Sequence, residues 1–337
     1  MVRSFLRIAT IGGVAATLSA CGMVYKTTGD VLVKYGSAKM VPHLMETDDV
    51  GMACALGESL TPLLLSFESV GSKPDKLGTL VYTTAAACSD ERALDAELRY
   101  LRAMDAGQVN EARDARVEQK RHAELAARRQ LQAYNRTISA FGEASGNSCP
   151  KLRNEFDGLV WMIGQIDGLQ ALLNDAIADG AVGISRDLLS KVERGAACLD
   201  DDEWWGTPSA IRGTIWSILP NLAPEGVNGW DHLDKGVQQG LAAGVRLPSA
   251  LYVLTAYNVD DEQRMRKGIR TFAQTDNKLD DEYQLIDAIA QQLIQAVSDR
   301  MWTKAKGQRT PHGGLGTFWD DAKTQNEDDD FDIDDFL

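Results

Sequence analysis

The chain has 337 residues and a formal net charge of −14, with 44% hydrophobic and 25% charged residues. That balance supports packed structure over disorder, and at about 100–200 residues per domain it suits one large or two modest domains. The acidic excess argues against a nucleic-acid binder, which needs basic surface to neutralise phosphates. The four histidines, at 43, 122, 232 and 312, are too dispersed for a metal cluster, so neither metal nor cofactor is expected.

Arg3 and Arg7 precede a short apolar and small-residue run from Ile8 to Thr17, followed by Leu18-Ser19-Ala20-Cys21. This is the pattern of a secretory signal peptide over residues 1–20. The run falls short of the ~20 residues a spanning helix needs. The last four residues resemble the lipobox of bacterial lipoproteins. The resemblance implies lipidation of Cys21, cleavage before it, a tether over 21–45, and attachment to the periplasmic face of the envelope. Gly22, where an Asp would retain such a protein at the inner membrane, implies the outer membrane.

In an oxidising compartment the remaining cysteines, Cys54, Cys88, Cys149 and Cys198, are expected to form two disulfides. Of the three connectivities we favour Cys54–Cys88 and Cys149–Cys198. The turn Gly71–Asp75 separates two apolar helical runs, with Cys54 and Cys88 at similar distances from it. The second pair brackets another expected helix pair in the same way.

Helical periodicity covers nearly the whole chain. Ala53, Gly57, Leu60, Leu64 and Phe67 recur at steps of four and three, one face of a helix. Pro62 lies off this stripe and either kinks the helix or starts a new one. The run Leu77 to Cys88 reads as a buried helix, with a strand as the minor alternative. Residues 91–142 interleave acids and bases with Ala, as a solvated helical face does. Within them, Asp105 to Ala112 resembles the turn between the two helices of a tetratricopeptide repeat, although no clean 34-residue period repeats.

Gly142 to Cys149, closed by Pro150, is the best internal boundary (142–150) of an all-helical domain over 46–303. Beyond it, Leu152, Phe156, Leu159, Ile163, Ile166, Leu173 and Ile177 stripe a long helix. Gly164 and Gly168, one turn apart on it, would let a neighbour approach closely. Ser185 caps a helix running to about 199, and Thr207-Pro208 opens another that stops before Pro220. Further helices are expected over 230–243, 248–257, 261–274 and 280–303. Residues 304–337 read as a loop followed by an Asp-rich tail, which is either a solvated segment or a docking peptide.

Signatures of catalysis are absent: there is no Gly-x-Ser-x-Gly elbow, His-Glu-x-x-His or phosphate-binding loop, and no enzyme is expected. Asp200 to Glu203 lacks the alternating ligands and sharp Gly turn of a calcium loop. Glu193 with this run gives no readable glycosidase pair. The aromatic residues are more suggestive. Trp161, Trp204, Trp205 and Trp216 fall within one stretch, the middle two beside carboxylates. They read either as core packing or as a platform for ligand or partner.

The lipobox, the early helix Gly57-Glu58-Ser59-Leu60-Thr61-Pro62-Leu63-Leu64-Leu65 and the segment Arg99-Tyr100-Leu101-Arg102-Ala103-Met104 resemble the T components associated with TRAP transporters, the TatT lipoproteins. The resemblance covers about residues 45–220. It implies an all-α solenoid of degenerate tetratricopeptide-like helix pairs beside a periplasmic substrate-binding protein, assembled as a ring-forming homo-oligomer. The expectation is therefore a lipid-anchored, disulfide-stapled helical scaffold that binds a protein partner, a ligand or both. The alternative is a tetratricopeptide-like lipoprotein of envelope or outer-membrane assembly.

Overall fold

The computed structural model describes residues 22–146, 148–275 and 278–321. Cys21 and the acidic tail lie outside these residues. The fold is all-α, and no strand occurs among the described residues.

Residues 22–35 form helix α1, which continues through a π-helical turn (Gly36–Met40) into α2 (Val41–Met45). The expected tether is thus helical. Gly36 lets the turn sit against Leu77, and Val41 and Met45 reach the core. Next comes α3 (Val50–Ser66), started by the Asp49 carboxylate, which accepts from the Met52 N–H. Pro62 sits inside α3 and does not start a new helix. By length and composition residues 50–70 could cross a membrane. Instead Gly57 lets α3 approach the backbone of Ala85 and Val81, Thr61 Oγ1 bonds to the α3 backbone, and Cys54 is joined to Cys88.

The run from Leu77 to Cys88 is part of a single 31-residue helix, α4 (Asp75–Asp105), which turns back at Gly107 (φ 67°) into the 33-residue α5 (Val109–Phe141). The Asp105–Ala112 segment is therefore an inter-helix turn, but each helix is as long as a whole tetratricopeptide repeat. That is why no 34-residue period is visible. The hairpin seam is lined with alanine: Ala85, Ala86, Ala93, Ala96, Ala112, Ala115, Ala123 and Ala126 are buried. Small side chains let the two backbones approach closely, which explains both the Ala content and the weak heptad signal.

Helix α6 (Glu155–Ile177) is capped by Asn154 and lies on α5. As expected, Gly164 and Gly168 face neighbours, meeting Thr137 and Tyr134 of α5, where a β-carbon would collide. The loop between α5 and α6 is tied by Cys149–Cys198 to the end of α7 (Leu188–Ala196). Both disulfides have the expected pairing. Then follow α8 (Thr207–Ile218), α9 (Gly229–Ala243), α10 (Leu247–Asn258), α11 (Glu262–Ala273) and α12 (Gln284–Lys306). A buried pair, Arg246 with Asp287 at 2.5 Å, joins the start of α10 to α12. Residues 307–321 form a loop, as expected, and it is packed onto the helices. Phe318 is buried, Trp302 Nε1 donates to the Thr317 carbonyl, and the Arg266 guanidinium stacks on Phe318 and Trp319.

Candidate functional site

The four tryptophans are core residues and not a binding face. Trp161, Trp204, Trp205 and Trp216 are 0%, 2%, 7% and 3% exposed. Trp161 Nε1 donates to the Gly195 carbonyl at 2.8 Å, pinning α6 to α7. Trp204 lies on Gly158, whose missing side chain is what admits the indole. Trp205, held at φ 53° in the turn before Gly206, packs between Trp204 and Tyr283. Trp216 is covered by Arg212 and His232. The neighbouring carboxylates serve the turn itself: Asp201 accepts from the N–H and hydroxyl of Ser209 and pairs with Lys235. Glu193 accepts from Arg212 Nε, so it is engaged in packing and not paired with another acid. Among the described residues no cluster of His, Cys, Asp or Glu is arranged to hold a metal.

The structure instead opens an elongated cavity of about 250 Å³ between the α3–α6 half and the α10–α12 half. It follows α4 from Leu77 to Glu97, about 30 Å at 1.5 Å per residue. Its volume is near the lower bound of small-molecule pockets, about 300 Å³. A long path with this volume is a narrow channel. One end is apolar throughout, formed by Val41, Leu44 and Met45 of α2, Leu56 of α3, and Leu77 and Leu80 of α4. Ile163 and Ile166 of α6 and Ile286, Ile289 and Leu293 of α12 continue the wall.

The other end carries the polar groups, set among Ala93, Leu94, Leu173 and Leu254. Helix α4 presents Thr83, Asp90 and Glu97 at steps of seven, so all three fall on the same stripe. Asp90 is partly exposed, and that exposure is to the cavity it lines. Its two oxygens are held separately: Asn174 Nδ2 donates to Oδ1 at 2.8 Å and Gln130 Nε2 to Oδ2 at 2.9 Å. The amides also bind one another, Asn174 to Gln130 Oε1 and Gln130 to Gln170 Oε1, which fixes which atoms face Asp90. Glu97 is matched differently, accepting from Arg300 Nε at 2.9 Å and from the Tyr257 hydroxyl at 3.2 Å. Burial, together with the Glu97 charge, pushes the Tyr257 hydroxyl up to about 12.

Behind this wall Asp167 is 1% exposed and accepts from Thr83 Oγ1 at 2.5 Å. Thr83 has one hydroxyl proton, yet its oxygen also lies 2.9 Å from the Thr79 carbonyl. A protonated Asp167 resolves the conflict by donating to Thr83, which then donates to Thr79. Desolvation indeed raises the Asp167 carboxyl well above its ordinary range, and the Asp90 charge adds to it. Asp90 itself is pushed up to about 7 by desolvation, opposed by the Asn174 hydrogen bond, the Arg300 charge and Gln130.

These two acids set a pH dependence. In the folded protein they keep protons that the unfolded chain has released above about pH 4. Stability therefore falls as pH rises from about 4 through 7. Carboxylates held low by partners, such as Glu58 beside Arg92 and Arg129, are ionised throughout that window. The melting temperature is expected to be higher at pH 5 than at pH 8, and Asp90→Asn with Asp167→Asn should flatten the difference. An unchanged slope in the double variant, measured by thermal melts across this range, would contradict the assignment.

Sequence reasoning missed Asp90, Gln130, Asp167, Gln170 and Asn174. A signal was present: Gln170 and Asn174 interrupt the same α6 stripe that carries Ile163, Ile166, Leu173 and Ile177. The chain matches no family model, no curated protein and no solved structure.

Proposed function

We propose that this is a lipid-anchored, periplasmic helical scaffold that binds a single-chain amphipathic ligand in the channel beside α4. The observation that carries the reading is the shape and polarity of that channel: narrow, about 30 Å along α4, apolar at the α2 end and polar at Asp90 and Glu97. A linear chain fills such a space where a compact ring system does not. The polar end then places the head of the ligand.

Attachment through Cys21 is supported by the surface of α1, which is described from residue 22 onward. Val24, Tyr25, Val31, Leu32 and Tyr35 of α1 are exposed. An apolar helix surface directly after acyl chains suits the headgroup region of a bilayer, where tyrosines are favoured. The chain then runs from that surface through the π-helical turn to the α2 residues that line the channel. The resemblance to the TRAP-associated T components supplies a setting, with ligand passed to a periplasmic substrate-binding protein.

The test is displacement of the apolar fluorophore N-phenyl-1-naphthylamine from the soluble chain by dodecanol. Saturable binding is expected. Ala87→Phe, which adds a ring to a small residue lining the channel, should weaken it by at least about tenfold without lowering the melting temperature. Absence of saturable binding, or equal binding by Ala87→Phe, would reject the channel as the site.

A further inference from the structure

The polar end of the channel is unevenly neutralised. Three carboxylates, Asp90, Glu91 and Glu97, line it beside one guanidinium, that of Arg300. Arg300 is engaged by Glu97. Among the described residues Asp90 has no cation in contact: its hydrogen-bond partners are two amides. Those amides donate to both oxygens, the arrangement that suits the ionised, acceptor-only carboxylate. The surroundings thus organise Asp90 as an anion and supply no contacting cation, only the more distant charge of Arg300, which does not offset the desolvation. A carboxylate has about four acceptor positions, and two are used.

We propose that the ligand head is a cation, a primary or quaternary ammonium group seated against the Asp90 carboxylate with its single apolar chain lying toward α2. The inference rests on the proposed channel function and deepens it. An ammonium group completes the electrostatics that Gln130 and Asn174 begin. Its charge also offsets the desolvation that pushes the Asp90 carboxyl up to about 7. A carboxylate head would face Asp90, Glu91 and Glu97 with Arg300 already committed. An uncharged head would leave Asp90 with only the more distant charge of Arg300. The ammonium can belong to a simple long-chain amine or to a lysophospholipid headgroup, and the chemistry at Asp90 is the same.

The experiment is competition against N-phenyl-1-naphthylamine on the soluble chain, with each competitor below its micelle-forming concentration. The competitors are dodecylamine, dodecyltrimethylammonium, dodecanol, dodecanoate and lysophosphatidylethanolamine. At pH 8 the two cations are expected to compete at about ten- to a hundredfold lower concentration than dodecanol, the range of a charge-assisted contact. Dodecanoate should be the weakest. In Asp90→Asn, checked for its helical circular dichroism, the ratio of amine to alcohol should fall to about one. Lysophosphatidylethanolamine matching the amine would identify a lipid headgroup, and the amine alone would identify a phosphate-free head. Equal competition by amine and alcohol in the unaltered protein would overturn the cationic head while leaving the channel intact. Dodecanoate as the strongest competitor would overturn it too, moving the head to Arg300. Failure of dodecanol along with every other chain would remove the channel reading itself. The unaltered protein alone decides these outcomes should Asp90→Asn not fold.

Discussion

Trp204→Ala is expected to lower the unfolding free energy by about 3–5 kcal/mol, the range for removing a large buried aromatic. The indole is 2% exposed, lies on Gly158 of α6 and meets Trp205 edge-on at 5.6 Å between centroids. Its loss leaves a cavity where α6 meets the turn before α8, and the rigid glycine-sided contact gives the neighbours little with which to refill it. Trp161→Ala should behave alike, and the Gly195 carbonyl would lose its 2.8 Å indole donor and keep the Cys198 N–H at 3.2 Å. A binding platform would show the opposite pattern: affinity lost and stability nearly kept. Denaturant midpoints and N-phenyl-1-naphthylamine affinity measured on the same variants separate the two. Stability within about 1 kcal/mol of the unaltered protein would contradict the core assignment.

The second large effect is expected from the disulfides. Cys54–Cys88 and Cys149–Cys198 close loops with sequence separations of 34 and 49. Chain-entropy arguments give about 4 kcal/mol for each, because a longer loop confines more of the unfolded ensemble. The bonds also act at specific joints. The first holds α3, an apolar helix with much of its outer face exposed, against α4. The second fastens the α5–α6 loop to the end of α7 beneath Trp161. Paired Cys→Ala replacements, compared by chemical denaturation, should each cost several kcal/mol, and the double set should leave α3 the most readily cleaved by protease. Retention of full stability after reduction would show that the helical packing alone suffices.

Helical content was legible because amphipathic periodicity is a local property. The ranges expected over 230–243, 248–257, 261–274 and 280–303 differ from α9 to α12 by only a few residues. The disulfide pairing was legible for a related reason. For Cys54–Cys88, two helices joined by a short turn bring residues equidistant from it together; Cys149–Cys198 shares only the bracketing of a helix pair, since α6 is far longer than α7. Gly164 and Gly168 announced a close neighbour on α6, although they did not say which helix it was.

What the sequence by itself determined is therefore the all-α class, the approximate extents of the last four helices, the cysteine pairs and the absence of known catalytic signatures. Only the tertiary structure decided which faces meet. It turned Leu77 to Cys88 from a separate short helix into the first turns of α4, since nothing breaks the helix until Gly107. It also placed four tryptophans inside, because paired indoles beside acids look alike whether the acids face solvent or tie a turn. The channel was invisible for a stronger reason. Its walls come from α2, α3, α4, α6, α10 and α12, from Met40 to Arg300 in the chain, and Asp90 becomes desolvated only when the other helices close over it. Periodicity reports which side of a helix is apolar. Whether that side meets another helix or an empty space is settled by packing across the whole chain.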